Sequence, residues 1–256
     1  MTIRRHIRTT LAAVDRRLGL REWLARDGGA NGATRPRALT SDPYTSAPEL
    51  LAHPRPNTVI DIGGNVGQFA EEIFRAHPGV RLYSFEPIPE CYEQLVLMRE
   101  REPSLVPVQL ALSDRDGEAE FHLSRYRGSS SIQEMRPEHV EAWPFTEIES
   151  KITVRVARLD AVAAELELEP PILAKLDIQG HELAAIRGGR ETLARCQRVV
   201  VECNFAPLYE GQPSFTEIYE ELRALGFLFD GFMGHLRHPQ AHELLSADAV
   251  FFKPAA

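Results

Sequence analysis

The sequence predicts an α/β protein whose mostly parallel sheet carries helices on both faces, and three observations lead to that fold class. From residue 57 onward, short apolar runs alternate with helix-length segments, as strands joined by crossover helices do. The runs 118–123 and 152–159 instead alternate apolar and polar residues, which is typical of antiparallel or edge strands. The apolar runs 227–232 and 247–253 close the chain, and we expect them to pair antiparallel.

The pattern of apolar residues over 58–225 predicts five strands and five helices. The expected strands lie at 58–62, 80–87, 107–113, 172–178 and 198–205, and the expected helices lie at 67–77, 89–101, 160–168, 180–190 and 214–225. Ser214, with Glu217 three residues later, forms a capping-box pattern at the start of the last helix. Residues 124–150 are polar and contain two prolines and Trp143, so we predict a long loop. Long loops in compact domains are usually functional, and this one is our candidate for the acceptor site.

The N-terminal part has a different character. We predict a helical extension and connector over 1–50 and the main domain over 51–256. Apolar residues recur at three- and four-residue spacing over 2–26, which predicts an amphipathic helix. Residues 1–37 hold nine arginines and three acidic residues, so this segment carries +6 in a chain whose net charge is −8. We expect the apolar face of the helix to pack on the acidic domain or on a second subunit. In the second case the protein would form a homodimer through this helix.

Composition excludes several classes of protein. The net charge of −8 argues against a nucleic-acid binder. No apolar run approaches the roughly 20 residues that span a bilayer, and the N-terminus lacks a signal-peptide pattern, so we expect a cytoplasmic protein. The cysteines form no C-x-x-C pair, which argues against a zinc knuckle, and we expect reduced, buried thiols at Cys91, Cys196 and Cys203.

The first candidate site is the loop after the first strand, in VIDIGGNVGQF (59–69). Asp61 ends the strand, and three glycines allow a tight turn and a close approach of a ligand to the backbone: Gly63, Gly64 and Gly67. Asn65 breaks the G-x-G-x-x-G fingerprint of dinucleotide sites. A carboxylate at the turn disfavours a pyrophosphate but suits the ammonium and sulfonium of S-adenosylmethionine. A plain strand–helix turn is the alternative interpretation.

Two further positions fit a bound nucleoside. Glu86 ends the second strand, at about the distance from the glycine loop of the acidic residue that binds ribose hydroxyls in nucleotide-binding folds. Ser113 and Asp114 leave the third strand where an adenine ring would lie, and Asp114 could accept from its amino group. A solvated Glu86 and an ordinary turn at S-D-R-D-G are the structural alternatives.

Polar residues also end two later strands. Asp177 ends a central strand, with Gln179 and His181 just after it, and Glu202 and Asn204 end the next. Ligands of open α/β sheets bind at the carboxyl ends of strands, so this edge could hold sugar hydroxyls or a Mg²⁺ ion. Asp177 and His181 are the candidate general bases, with Gln179, Glu202 and Asn204 as substrate contacts. Helix capping and hydrogen bonding are the structural alternatives.

With these motifs, the chain resembles the FkbM-family methyltransferases, a branch of the class I S-adenosylmethionine-dependent enzymes. The matching stretches span about 57–253 and are VIDIGGNVGQF, LYSFEPIPECYEQL, LALSDRDGEAEFHL, GSSSI, VRVARLDAV, KLDIQGHELAAIRGG, FAPLYEGQPSFTEIYEELRALGF and ADAVFF. The resemblance implies a Rossmann-like methyltransferase fold with a seven-stranded sheet whose last strand is antiparallel. It implies O-methylation of a hydroxyl on a sugar, natural product or glycolipid. It also implies cofactor contacts at Asp61, Gly63, Asn65, Glu86, Ser113 and Asp114.

The chain departs from the family pattern near the acceptor site. Many relatives have Glu in place of Gln179, and a small or aromatic residue in place of His181, so neither the substrate contacts nor the base carry over. Two other functions compete with the methyltransferase hypothesis: an NAD-type nucleotide-binding oxidoreductase or epimerase, and a non-catalytic binding protein that retains the fold. The broken fingerprint argues against the first, and the intact motifs on every cofactor-facing strand argue against the second.

Overall fold

The computed structural model describes residues 54–238 and 241–254. Its strands are β1 (Thr58–Ile62), β2 (Arg81–Phe85), β3 (Leu105–Val108), β4 (Ala111–Leu112), β5 (Gly117–Ser124), β6 (Ile148–Ala157), β7 (Ile172–Leu176), β8 (Arg198–Asn204), β9 (Leu228–Arg237) and β10 (Leu244–Phe252). Its helices are α1 (Gln68–Ala76), α2 (Pro89–Arg99), α3 (Pro137–Ala142), α4 (Leu159–Ala163), α5 (Glu182–Gly188), α6 (Arg190–Leu193) and α7 (Phe215–Ala224). The predicted N-terminal helix, and the dimer contact assigned to it, lie outside the described residues.

The main sheet has seven strands in the order β3-β2-β1-β7-β8-β10-β9 within the described part of the chain. The strands β3, β2, β1, β7 and β8 run parallel to one another, whereas β10 runs antiparallel to both β8 and β9. This confirms the expected parallel sheet with an antiparallel last strand. Ile62, the last residue of β1, pairs with Phe85 at the end of β2 and with Leu176 at the end of β7. Because the three strands are parallel, the loops that follow them lie together at one edge of the sheet.

Helices cover both faces of the sheet, as predicted. Neighbouring residues of a strand point to opposite faces, so Val59 and Ile60 belong to different cores. One core includes Ile60 and Leu176 and packs against α4 to α7, where Leu222 is fully buried. The other core includes Val59 and Leu173 and packs against α1 and α2. The predicted capping box is present, since the backbone N–H of Ser214 donates to the Glu217 carboxylate at 2.9 Å.

The structure corrects several predicted elements. The single strand predicted at 107–113 is wrong, because the chain leaves the main sheet after Val108 and forms β4 in a second sheet of order β4-β6-β5. The helix predicted at 160–168 ends at Ala163. The helix predicted at 180–190 is split into α5 and α6. It starts late because Gln179 and Gly180 have positive φ angles of 57° and 92°.

The predicted loop over 124–150 is partly ordered into short elements. It contains 3₁₀ turns at Arg127–Ser129 and Pro144–Thr146, the helix α3 and the beginning of β6. The three cysteines are buried free thiols, as expected. None of the helices in the described ranges is both long enough and apolar enough to cross a membrane.

Candidate active site

A cleft of about 600 Å³, open to solvent, lies at the edge of the main sheet where β1, β2 and β7 end. Residues from the glycine loop, from the ends of β2 and β7, from β4 and from the segment 127–132 line it. Six of the residues predicted from the sequence are among its lining: Gly63, Asn65, Glu86, Asp177, Gln179 and His181. The other predicted residues are not: Asp61, Gly64, Gly67, Ser113, Asp114, Glu202 and Asn204.

The three glycines of the loop allow its tight packing on neighbouring elements. Gly63 has a φ of 91°, and a Cβ there would collide with the carbonyl oxygen of Asp177 at the end of β7. A Cβ at Gly64 would collide with the Ser84 hydroxyl, and one at Gly67 with the Met98 side chain. From the sequence, these glycines were expected to allow both a tight turn and the approach of a ligand. Of the three, Gly63 lines the cleft, and it also joins the glycine loop to the Asp177 turn.

Asp61 lies beneath the glycine loop and is fully buried. The Ser84 hydroxyl donates to its Oδ2 at 2.8 Å, and its Oδ1 lies 3.8 Å from the Lys175 ammonium. Burial raises the pKa of Asp61, while the charge of Lys175 and the Ser84 hydrogen bond oppose that rise. The structure therefore places this predicted cofactor residue where it fixes β2 and Lys175 under the loop.

Glu86 lines the cleft at the end of β2 and is held by main-chain amides. The backbone N–H of Asn65 donates to its Oε2 at 2.8 Å, and that of Ile88 donates to its Oε1 at 2.8 Å. A carboxylate has about four acceptor sites, so each oxygen retains one for a ligand. Burial raises the pKa of Glu86 to about 7. The group therefore changes its charge near neutral pH.

Asp177 and Glu202 form a pair of carboxyl groups bridged by one amide. The Gln179 amide nitrogen lies 2.8 Å from Asp177 Oδ1 and 2.7 Å from Glu202 Oε2 and donates to both. The Lys175 ammonium donates to Asp177 Oδ2 at 3.1 Å. The predicted Asn204 is buried at the end of β8.

The two carboxyl groups of this pair differ in protonation. Burial alone would raise the pKa of Asp177, but the charge of Lys175 and hydrogen bonds from Gln179, Lys175 and Glu202 lower it below its usual range. Burial and the charge of Asp177 raise the pKa of Glu202 well above its usual range. At neutral pH Asp177 is therefore ionised, and Glu202 is the carboxyl group of the pair that binds a proton more readily.

Two further residues belong to this network and were not predicted from the sequence as site residues: Lys175 and Tyr209. The buried Tyr209 hydroxyl lies 2.7 Å from Gln179 Oε1 and 3.1 Å from the Ser129 carbonyl oxygen. It thus connects the Gln179 amide to the segment 124–150. Lys175 did have a signal in the sequence, because a lysine inside the apolar strand ILAKLDI must find a charged partner.

His181 lies away from the carboxyl pair's hydrogen-bond network. Its Nε2 is 2.9 Å from the Ser113 hydroxyl, which is itself 3.3 Å from Asp114 Oδ1. Burial lowers the pKa of His181 to about 4, so its imidazole is neutral at pH 7. The structure therefore brings a predicted base together with two predicted cofactor residues. Asp114 itself is exposed.

Arg127 holds the segment 124–150 at the mouth of the cleft. Its guanidinium pairs with Glu90 at 2.6 Å and with Glu149 at 2.7 Å, and it also donates to the Ser124 carbonyl oxygen. These contacts join α2, β6 and the start of the segment. The segment then places Gly128, Ser130 and Ile132 in the wall of the cleft.

Comparison with known proteins identifies the family. Residues 61–229 match the methyltransferase FkbM domain. This chain belongs to the FkbM methyltransferase family. It is 34% identical over 183 residues to the 2-O-methyltransferase NoeI of Sinorhizobium fredii, covering 68% of this chain and 73% of NoeI. It is 24% identical over 143 residues to the hexuronic acid methyltransferase AglP of Haloferax volcanii, covering 56% of this chain and 54% of AglP.

One solved structure of similar architecture is methyltransferase FkbM from Methylobacillus flagellatus, with a TM-score of 0.47 and 12% identity, over 76% of this chain and 43% of that one. The similarity to this solved structure thus covers less than half of that protein, and the similarity to AglP covers about half of AglP. The predicted resemblance and the Rossmann-like methyltransferase fold are confirmed by the FkbM match and by the strand order of the main sheet. Every residue lining the cleft lies within the FkbM range.

The cleft of this FkbM-family protein suits S-adenosylmethionine better than Mg²⁺, the other predicted cofactor. Its lining includes the carboxyl groups of Glu86 and Asp177, and the guanidinium of Arg127 is paired with two glutamates. An acidic lining favours the cationic, phosphate-free S-adenosylmethionine. The predicted Mg²⁺ does not fit this arrangement, because the Lys175 ammonium and the Gln179 amide donate to Asp177, and the same amide donates to Glu202. Among the described residues, no group of three or more His, Cys, Asp and Glu side chains could hold a metal ion.

Proposed function

We propose that this FkbM protein is an S-adenosylmethionine-dependent O-methyltransferase whose acceptor is a hydroxyl group of a sugar, a sugar-bearing natural product or a glycolipid. The observation that carries the proposal is the Asp177–Gln179–Glu202 network, in which an ionised carboxylate belongs to the lining of the cleft. The name of NoeI, a 2-O-methyltransferase, supports transfer to an oxygen atom, and the name of AglP, a hexuronic acid methyltransferase, supports a sugar acceptor.

The cleft then has two functional ends. We name the part formed by Gly63, Asn65 and Glu86 the cofactor end, and the part formed by Asp177, Gln179 and the neighbouring Glu202 the acceptor end. At the cofactor end, Glu86 retains acceptor sites for the ribose hydroxyls, and the glycine loop is a candidate for the methionine part. S-adenosylmethionine, when bound, supplies a methyl group attached to a sulfonium.

The other predicted cofactor residues act on the shape of the cofactor end. Asp61, Gly64 and Gly67 set the position of the glycine loop through their contacts beneath it. Ser113, held by His181, lies where β4 leads out of the second sheet, and the exposed Asp114 is free to meet the adenine amino group. His181 thus positions Ser113 in this proposal.

At the acceptor end, Asp177 is the proposed general base. It is ionised at neutral pH because Lys175 and Gln179 stabilise its negative charge, so it can take the proton of the acceptor hydroxyl. Gln179 orients that carboxylate and holds it against Glu202. General-base assistance is typically worth about 10²–10⁴-fold in rate. His181 is the weaker candidate, since its Nε2 is bonded to the Ser113 hydroxyl and takes no part in the network of the carboxyl pair.

The chain's remaining task is to align the acceptor and exclude water. The segment 127–132 forms one wall of the cleft and is fixed by Arg127 and by Tyr209. Alignment of two reactants can lower a barrier by about 7–11 kcal/mol. Such a wall prevents water from competing with the acceptor hydroxyl.

The proposal is tested by methyl transfer to the protein's own acceptor. Glycoside and glycolipid extracts from native cells that lack the gene are incubated with the purified protein and deuterated-methyl S-adenosylmethionine. We expect mass spectrometry to show one labelled methyl ether on a sugar hydroxyl. Calorimetric titrations with S-adenosylhomocysteine and NAD run in parallel. Label on nitrogen or carbon, no labelled product despite tight S-adenosylhomocysteine binding, or binding of NAD alone would each contradict the proposal.

A further inference from the structure

The segment 124–150 contains aromatic residues of two kinds. His139 and Trp143 pack edge-to-face with ring centroids 5.4 Å apart, and His139 packs in the same way on the buried Tyr209 at 5.2 Å. These rings build the inside of the segment. Tyr126 and Phe145 instead leave 37% and 45% of their surface exposed. The buried parts of these rings contribute to stability, but the exposed parts do not, and they are accessible to a ligand.

Tyr126 and Phe145 contact each other at the outer rim of the cleft. Their ring centroids are 5.9 Å apart and their planes meet at 83°, so Phe145 braces the Tyr126 ring. The backbone N–H of Tyr126 donates to the Ser124 hydroxyl at 3.1 Å, and the next residue is the ion-paired Arg127. The ring is therefore held in place on a fixed stretch of backbone.

The position of Gly128 locates the Tyr126 ring relative to the glycine loop. A Cβ at Gly128 would lie 2.9 Å from Tyr126 Cε1 and 3.2 Å from Asn65 Nδ2. Gly128 itself lines the cleft, so the ring stands beside the cleft wall and close to the loop of the cofactor end. Ser129, the residue after Gly128, accepts a hydrogen bond from Tyr209, which also bonds Gln179, so this stretch of the segment reaches the acceptor end as well. Burial and the negative charge of Asp177 both raise the pKa of Tyr126, in agreement with this placement.

We propose that Tyr126 and Phe145 form a stacking subsite for a pyranose ring of a neutral acceptor, next to Asp177. This inference rests on the proposed function and deepens it. The face of an aromatic ring is electron-rich, and the C–H groups on one face of a pyranose present positive charge to it. The ionised Asp177, whose charge acts on Tyr126, disfavours an anionic sugar ring at this place. Stacking fixes the ring plane, while the hydroxyl to be methylated points to Asp177.

The test is a steady-state comparison of Tyr126→Ala, Tyr126→Phe and Phe145→Ala on the labelled acceptor. We expect Tyr126→Ala to raise the acceptor KM about 3–10-fold, with kcat changed by less than about threefold, because an aromatic contact is worth that much in binding. Phe145→Ala should raise KM about 2–4-fold. Tyr126→Phe should restore the wild-type KM, since it keeps the ring. Affinity for S-adenosylhomocysteine should not change in any of them.

Phe232→Ala is the matched control, because Phe232 is an equally exposed aromatic residue on β9, at 38%. It should leave the acceptor KM unchanged. An unchanged KM in a folded Tyr126→Ala protein overturns the stacking subsite, and so does a Tyr126→Phe variant as impaired as Tyr126→Ala. A wild-type protein that binds S-adenosylhomocysteine but methylates no sugar overturns the proposed function instead. The two failures are therefore distinguishable.

Discussion

The two ends of the cleft hold their carboxyl groups by different means. At the cofactor end, the backbone amides of Asn65 and Ile88 donate to Glu86. At the acceptor end, the side chains of Lys175 and Gln179 donate to Asp177. Every residue except proline supplies a backbone N–H donor, but only particular side chains supply an ammonium or an amide at a given place. The cofactor end thus depends on the path of the chain, and the acceptor end on the identity of several side chains.

This difference separates the expected effects of mutations. A substitution at Glu86 removes the carboxylate that the cofactor end offers to the ribose hydroxyls, while the loop that holds it stays in place. A substitution around Asp177 changes the charge and orientation of the base and leaves the glycine loop intact. We therefore expect cofactor affinity and turnover to be separable, except at Gly63, where the two ends touch.

The largest effect on turnover is expected for Asp177→Asn. This variant keeps the size of the side chain but cannot accept the hydroxyl proton, so kcat should fall about 10²–10⁴-fold. Asp248→Asn is the matched control, because Asp248 is another carboxyl group near Lys175 that does not line the cleft. It should change kcat by less than about threefold. Wild-type turnover in Asp177→Asn would show that another group takes the proton.

Gly63→Ala should disturb both ends at once. A Cβ at this position collides with the Asp177 carbonyl oxygen and forces an L-residue to keep a φ of 91°. Left-handed backbone costs about 1–2 kcal/mol, and overpacking about 1–3 kcal/mol more. The midpoint of thermal unfolding should fall by about 2–4 °C for each kcal/mol of lost stability. The affinity for S-adenosylhomocysteine and the turnover should both decrease.

Gly79→Ala is the control for backbone strain. Gly79 has a φ of 78°, but nothing lies within 4 Å of a Cβ there. It should show only the cost of the left-handed backbone, with normal binding and turnover. Equal losses of stability in the two variants would contradict the close approach of the glycine loop to Asp177.

Glu86→Gln should weaken S-adenosylhomocysteine binding about tenfold, because the amide offers fewer acceptor sites to the ribose hydroxyls. The pKa of about 7 adds a pH dependence in the wild type. Ribose hydroxyls favour the ionised carboxylate, so affinity should fall as pH drops below about 7 and level off above it. In calorimetric titrations the variant should show no such change.

Glu182→Gln is the control for this pH dependence. Burial also raises the pKa of Glu182 to about 7, but its carboxylate accepts from the backbone amides of Ile178 and Gly180 and does not line the cleft. The pH dependence should persist in this variant. If it disappears in Glu182→Gln and persists in Glu86→Gln, then Glu86 is not the group that binds the cofactor.

Tyr209→Phe should give the smallest effect. Losing one neutral hydrogen bond costs about 0.5–1.5 kcal/mol, so kcat should fall about 2–10-fold while S-adenosylhomocysteine affinity stays constant. A loosened Gln179 stabilises the Asp177 charge less, which raises the pKa of Asp177. The acid limb of the pH–rate profile should therefore move to higher pH. Tyr219→Phe serves as the control, and an unmoved acid limb in Tyr209→Phe would contradict a positioning role.

The sequence predicted the cofactor end more fully than the acceptor end, for the same physical reason that separates them. Gly63 and Asn65 sit in one short motif, and Glu86 ends the next strand, so their proximity follows from the parallel sheet. The alternation of strands and helices likewise predicted the main sheet. The sequence offered no local sign that Asp61 would lie beneath the loop, since its distance from the cleft depends on Ser84 and Lys175 across two neighbouring strands.

The acceptor end joins parts of the chain that are far apart in sequence. Tyr209 reaches Gln179 and Ser129 across 30 and 80 residues, and no periodicity records such contacts. The same holds for His181, which appeared beside Asp177 in the sequence but bonds to Ser113, 68 residues away. The second sheet was also hidden, because β4 has only two residues and continues the apolar run of β3.

The most direct test of this division of labour is the affinity of Asp177→Asn for S-adenosylhomocysteine, measured by calorimetry beside wild type and Glu86→Gln. If the two ends have separate tasks, Asp177→Asn binds within about threefold of wild type, although its turnover is lost, and Glu86→Gln binds about tenfold more weakly. A loss of binding in Asp177→Asn as large as that in Glu86→Gln would contradict the account, because it would make Asp177 part of the cofactor end.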